Sequence, residues 1–259
     1  MDIPKIGFGT WQLEHGDEAR EAVRTALASG YRLIDTAKIY GNEASVGEAI
    51  NSSTLKRSEI YVTTKLWLSD LGYESALDAF NASLKRLNLE YIDLYLIHWP
   101  GNNADSRRDS WKALEELVNT GKVKNIGVSN YKPDHLAELL SYCKIKPFVN
   151  QIEFHPFIYK KQKATIDFCL ANDIKVEAYS PLAQANKLKD ETLTAIANAH
   201  KKSVAQIMLA WAIAQKTIPI PRSSNKERIA QNFDVFDFKL SREDVERISA
   251  LSDGRSVLG

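Results

Sequence analysis

The apolar positions of this chain follow two periods in turn. Short runs rich in β-branched and aromatic residues lie at 5–8, 32–34, 61–64, 92–97, 124–128, 148–152, 174–178 and 217–220. Each is followed by apolar residues at helical spacing. Successive runs begin about 24 to 43 residues apart, the length of one strand, one helix and two loops. Eight such units predict an α/β fold, a (β/α)8 TIM barrel of parallel strands, as a single domain over residues 1–259.

The helical stretches carry start and stop signals. Residues 17–29 put Ala19, Ala22, Val23, Ala26 and Leu27 on one stripe, with Gly30 as a left-handed stop. Asp109 is read as the start of a helix with Trp111, Leu114, Leu117 and Val118 inward and Gly121 beyond its end, and Pro133 suits a first helical turn. Ser203 with Gln206, and Ser241 with Asp244, have the spacing of capping boxes. The long interval before the last run predicts two helices broken near 201–203.

Composition narrows the class of function. A chain of 259 residues, 44% hydrophobic, buries one large core and leaves little for a second domain. Lys plus Arg total 34 against 33 Asp plus Glu, a net charge of +1, so no global field draws nucleic acid or an anionic membrane. The expected partner is a small molecule, and any anion has to be held by a local site. The stretch MDIPKIGFGTW lacks the layout of a signal peptide, and no long apolar run occurs, so a cytoplasmic monomer is expected. Cys143 and Cys169 form no CxxC pair and have no histidine at zinc spacing. Both are read as reduced, buried helix residues, and no metal is expected. The N-x-S sequons at Asn51 and Asn81 need a secretory route for which the sequence gives no sign.

Several runs are apolar until a polar residue appears at their end: Asp35, Lys65, His98, Ser129 with Asn130, and Gln151. In a parallel barrel the carboxyl ends of the strands meet at one rim, where barrel enzymes do their chemistry. Singly, each residue has an ordinary structural explanation: Asp35 as a turn cap, Tyr40 as a loop aromatic, Lys65 as a solvated strand end, His98 as a core histidine. Together they make a proton-transfer set. A phenol is a poor acid at neutral pH unless an adjacent ammonium favours its ionised form, which gives a physical reason for Lys65 beside Tyr40. Asp35 would keep Lys65 charged, His98 would orient a carbonyl oxygen, and Tyr40 would donate the proton to it.

The ordered segments GFGTW, IDTAKIYGNE, TTKLW, DLYLIHWP, NIGVSNY, VNQIEFHP, EAYSPL and IPRSSNKERIAQNF resemble the aldo-keto reductases over nearly the whole chain. The chain looks most like short prokaryotic members that act on 2,5-diketogluconate, methylglyoxal and related small carbonyls. The resemblance implies NADPH-dependent reduction of aldehydes and ketones, with Asp35, Tyr40, Lys65 and His98 as the catalytic tetrad.

GFGTWQ is not a dinucleotide fingerprint, because the third glycine and the surrounding βαβ unit are absent. The stronger signal is IPRSSNKER, where Asn225 can cap a short helix and the Arg222 and Arg228 guanidiniums, with several free backbone N–H groups, could surround one phosphate. A solvated basic helix start is the other reading of that segment. The resemblance implies that Arg222, Ser223, Ser224, Asn225 and Arg228 hold the 2′-phosphate of NADPH, with Gln231 and Asn232 near the adenine. Arg222 stands where the family often has Lys. The resemblance further places Ser129, Asn130 and Gln151 at the nicotinamide carboxamide and stacks Tyr179 on the ring. Gly9, Thr10, Trp11, Ser180 and Leu182 are expected along the rest of the groove.

Trp11, Trp67 and Trp99 are expected to wall the substrate pocket. A short loop from Pro100 to Trp111, the brief tail DGRSVLG and the lack of an amino-terminal hairpin suggest an open site. Two other functions fit the same barrel: an isomerase or lyase using Lys65 as a Schiff base, and an NADPH-binding redox sensor of low turnover.

Overall fold

The computed structural model describes residues 2–185 and 187–257. Eight parallel strands form one sheet in sequential order: β1 Phe8–Gly9, β2 Leu33–Asp35, β3 Tyr61–Leu66, β4 Ile92–Ile97, β5 Val123–Ser129, β6 Val149–Glu153, β7 Lys175–Tyr179 and β8 Thr217–Pro219. The Gly7 and Gly9 amides donate to the carbonyls of Pro219 and Pro221, at 2.9 and 3.0 Å, and so join the first run to the last. A Cβ on Gly7 would lie 2.6 Å from Leu33 Cδ2 and 2.8 Å from Ile220 Cγ2. The glycine is what permits that close approach. The expected (β/α)8 barrel is the observed fold.

Each strand lies within a few residues of its predicted run, and β4 coincides with it. The first differs most. Lys5 is exposed and outside the ladder, because only the stretch from Gly7 onward finds partners on the neighbouring strands.

Around the strands run α1 Asp17–Ala28, α2 Glu43–Asn51, α3 Tyr73–Leu87, α4 Ala104–Asn119, α5 Pro133–Leu140, α6 Tyr159–Ala171, α7 Glu191–His200, α8 Val204–Ala214, α9 Lys226–Phe233 and α10 Arg242–Ala250. The α1 stripe is buried at all five predicted positions. Both capping boxes form, and α7 and α8 are separated at Lys201, which takes the left-handed conformation.

Three local expectations are corrected. Helix α4 begins five residues before Asp109, because the Asn103 side chain caps it by accepting from the Ser106 amide at 3.0 Å. The stretch read as a loop after Pro100 is therefore mostly helix. Cys143 is only half-buried and lies beyond the end of α5, whereas Cys169 is a buried helix residue; both are free thiols.

The core has two parts, as a closed sheet requires. Alternate strand residues such as Ile34, Val62, Tyr95, Ile126 and Val176 face the helices, and the intervening Leu33, Tyr61, Leu94, Leu96, Val149 and Ile220 fill the barrel. The same alternation carries the inward face upward from these apolar residues to Asp35, Lys65, His98 and Gln151 at the carboxyl rim. No described helix is long and apolar enough to cross a membrane.

Candidate active site

A cavity of about 1030 Å³ opens at that rim. Tyr40, at the end of a 3-10 turn that follows β2, reaches it beside His98 and Trp67. Their rings meet edge to face: His98 lies 5.8 Å from Tyr40 and 5.1 Å from Trp67 between centroids. Trp11, Trp67 and Trp99 all line the cavity, together with Ile39, which the sequence reading did not single out.

Lys65 is wholly buried and does not touch the cavity itself. Its ammonium donates to Asp35 Oδ1 at 2.7 Å, to the Thr36 carbonyl at 2.9 Å and to the Tyr40 hydroxyl oxygen at 3.3 Å. An ammonium has three N–H groups, so all are engaged. The Tyr40 oxygen accepts from Lys65, and its own proton is left to point elsewhere. The four residues read as a unit in the sequence do come together.

Their charge states follow from burial and pairing. Burial works against the Lys65 ammonium, but Asp35 and then Tyr40 outweigh it, and the pKa is raised. Lys65 is therefore a fixed cation and a poor Schiff-base nucleophile. For Tyr40 the expectation of a lowered pKa is corrected. Burial of the phenol raises it more than Lys65 lowers it, with Asp35 adding to the rise, so Tyr40 holds its proton at neutral pH. Burial, and secondarily the Lys65 charge, push His98 down to about 2, so its imidazole is neutral. Its Nδ1 is buried without a protein partner among the described residues.

The opposite wall is built from β5, β6 and β7. Asn130 and Ser180, just after β5 and β7, both adopt positive φ, at 62° and 48°. The left-handed turn brings the Asn130 amide under Tyr179: Asn130 Oδ1 accepts from the Tyr179 hydroxyl at 2.9 Å, and Asn130 Nδ2 donates to the His98 carbonyl at 3.1 Å. Tyr179 is thereby held against the cavity. Two predicted groove residues stand behind the wall instead of lining it. The Thr10 hydroxyl donates to the Asp35 carbonyl and the Ser129 hydroxyl to the Gln151 carbonyl, each at 2.9 Å.

The far end of the cavity lies at the start of α9. Asn225 caps that helix, accepting from the Arg228 amide at 2.8 Å, and its own amide donates to Ser223 Oγ at 3.1 Å. Two amides expected to be free for a phosphate are thus already engaged. Arg222 is exposed but tethered across the groove, with Nε 3.0 Å from the Trp11 carbonyl and Nη2 3.1 Å from Gln12 Oε1. Gly9, Ser180, Leu182, Ser224, Arg228, Gln231 and Asn232 also line the cavity.

Beyond the α9 end, the tail does not simply stop short. Ser256 Oγ and the Val257 amide donate to Glu153, at 2.5 and 2.7 Å, which ties the tail to the end of β6. Leu258 and Gly259 of the predicted short tail lie outside the described residues.

The sequence reading missed a buried acid beside Gln151. Glu177 is fully enclosed, and its Oε2 accepts from Gln151 Nε2 at 2.7 Å. The signal was present, since Glu177 precedes Tyr179 by two positions on β7 and so shares its face.

Comparison with known proteins gives a consistent result. The model described as Aldo/keto reductase family matches residues 5–253. The chain is 48% identical over 257 residues to the glyoxal reductase of Bacillus subtilis (strain 168), covering 99% of this chain and 92% of that protein. Among solved structures, an aldo-keto reductase from a Medee basin deep-sea metagenome library superposes with a TM-score of 0.95 at 47% identity, over 99% of this chain and 94% of that one. A Bombyx mori aldo-keto reductase in complex with NADP gives a TM-score of 0.92 at 38% identity, over 98% of this chain and 91% of that one.

Proposed function

The chain belongs to the aldo/keto reductase family, and from that premise we propose that it reduces small aldehydes, ketones and dicarbonyls with NADPH. The observation that carries the reading is the donor count at Lys65. With all three ammonium hydrogens engaged, one of them on Tyr40, the Lys65 contact leaves the phenol's own hydrogen to be donated toward the cavity.

The cavity suits an extended dinucleotide phosphate. It carries two guanidiniums at one end and the Tyr40, His98 and Tyr179 rings at the other. Arg222 and Arg228, with Ser223, Ser224 and Asn225, would hold the 2′-phosphate; Asn130 and Gln151 would hold the carboxamide, and Tyr179 would support the ring. Bound there, the cofactor supplies hydride. The chain's own residues do the remainder: neutral His98 orients the carbonyl oxygen, and Tyr40 transfers its proton to that oxygen as negative charge develops. Lys65 stabilises the phenolate left behind, and Asp35 keeps Lys65 charged.

Substrate choice follows from the lining. Trp11, Ile39, Trp67 and Trp99 present apolar surface, and the exposed cations of the cavity, Arg222 and Arg228, lie at the cofactor end. The site therefore favours uncharged carbonyls such as glyoxal and methylglyoxal over acidic keto sugars such as 2,5-diketogluconate.

The test is NADPH oxidation followed at the nicotinamide absorbance, with glyoxal, methylglyoxal, 2,5-diketogluconate and simple aldehydes and ketones. Tyr40→Phe should lower turnover by about 100-fold or more, the scale of a positioned acid, with NADPH affinity unchanged. Undiminished turnover in that variant refutes the acid assignment, and binding of NADPH without turnover of any carbonyl favours the sensor reading.

A further inference from the structure

Beneath the Tyr40–Lys65–Asp35 chain the barrel holds a second carboxyl that the proposed reaction does not use. Gln151 stands between the two acids: its Nε2 donates to Asp35 Oδ2 at 2.8 Å and to Glu177 Oε2 at 2.7 Å. An amide nitrogen carries two hydrogens, so both are engaged. The one group Gln151 can offer to the cavity it lines is then Oε1, an acceptor. Glu177 is 0% exposed, and its Oε1 has no protein partner among the described residues.

The groups facing Glu177 settle its charge. From β2 it faces Asp35, from β3 Lys65 and Tyr61, and from β6 Gln151; its register neighbour on β8 is the apolar Ile218. Lys65 is the cation of this cluster, and Asp35 is its direct partner. One buried positive charge balances one carboxylate. A second carboxylate beside Asp35 would be uncompensated in a low-dielectric interior, and such a group keeps its proton.

Resting on the reductase reading above, we infer that Glu177 is a positioning residue that works as a neutral acid, holding the Gln151 amide, and whose ionisation turns carbonyl reduction down at alkaline pH. Burial, then the Asp35 charge, push the Glu177 carboxyl up to about 8, against the opposing Gln151 hydrogen bond and Lys65. Loss of that proton to solvent puts a second negative charge below Lys65. The added charge makes Tyr40 a weaker acid and opposes the negative charge that builds on the substrate oxygen.

The experiment joins two readouts. The first is the infrared spectrum of the protein without substrate, in which wild type at pH 7 should show a protonated-carboxyl C=O band that fades by pH 9 and is missing from Glu177→Gln. The second is the pH profile of turnover. Wild type should lose about tenfold between pH 7 and 9, following the protonated fraction of a group titrating near 8. Glu177→Gln, a neutral isostere that can still accept from Gln151, should match wild type at pH 7 and stay flat to pH 9.

Superimposable alkaline limbs in the two proteins, or no titrating carboxyl band in wild type, overturn the inference. The wild-type infrared titration stands even where the variant does not fold. If no carbonyl is reduced at all, the reductase reading fails, while the infrared arm still decides whether Glu177 carries a proton.

Discussion

Replacing His98 with glutamine should change how the protein's stability depends on pH. His98 is 8% exposed, its Nδ1 lacks a protein partner among the described residues, and burial with Lys65 nearby brings its pKa down to about 2. In the unfolded chain a histidine titrates near 6.5, so below that pH the unfolded state binds a proton that the folded state refuses. Stability therefore rises with pH through this window and is lost as pH falls from about 6.5 toward 2. At pH 5 the penalty is about 2 kcal/mol, and at pH 7 only about 0.2 kcal/mol. Glutamine does not titrate, so the variant escapes it. Urea unfolding of both proteins at pH 7, 6 and 5 measures the difference, since every other titrating group is common to the two. The wild type should lose about 2 kcal/mol relative to the variant between pH 7 and 5. Parallel curves would show that His98 takes up a proton in the folded state, and the neutral-imidazole role would fall with it.

The remaining predictions test other parts of the site and its scaffold. Changing both Arg222 and Arg228 to Ala should weaken NADPH binding, read by nucleotide fluorescence, by at least about tenfold, the scale of a charge-assisted phosphate contact. NADH binding should change far less, and equal loss for both nucleotides refutes the phosphate assignment. Lys65→Met strips a buried carboxylate of its partner, so it should cost about 3–5 kcal/mol of stability as well as activity. Adding Asp35→Asn to that variant should recover stability in urea titrations without restoring turnover; no recovery contradicts the pairing. Gly47→Ala places a Cβ 2.0 Å from the Leu87 carbonyl oxygen, where α2 crosses the end of α3. It should lower the unfolding free energy by about 1–3 kcal/mol, and a change in Tm within error would show that the two helices separate freely.

The sequence by itself determined the strand runs, the helix stripes, the capping boxes and the rim positions of Asp35, Lys65, His98 and Gln151, because these depend on periods and caps that operate over a few residues. The choice between barrel wall and barrel interior was not legible, because both faces of each strand are buried and the runs read as apolar up to their last residue. Tertiary structure decided what those residues are chemically. Gln151 meets Asp35 across 116 positions of chain, and Tyr179 meets Asn130 across 49, so neither contact leaves a mark in local spacing. Thr10 and Ser129 share the rim with the other polar residues, but hydrogen bonds to neighbouring strands turn their hydroxyls away from the cavity. The proton on Tyr40, the neutrality of His98 and the pairing of Lys65 with Asp35 arise from burial and distance, quantities set only when separate strands close around a common interior of low dielectric.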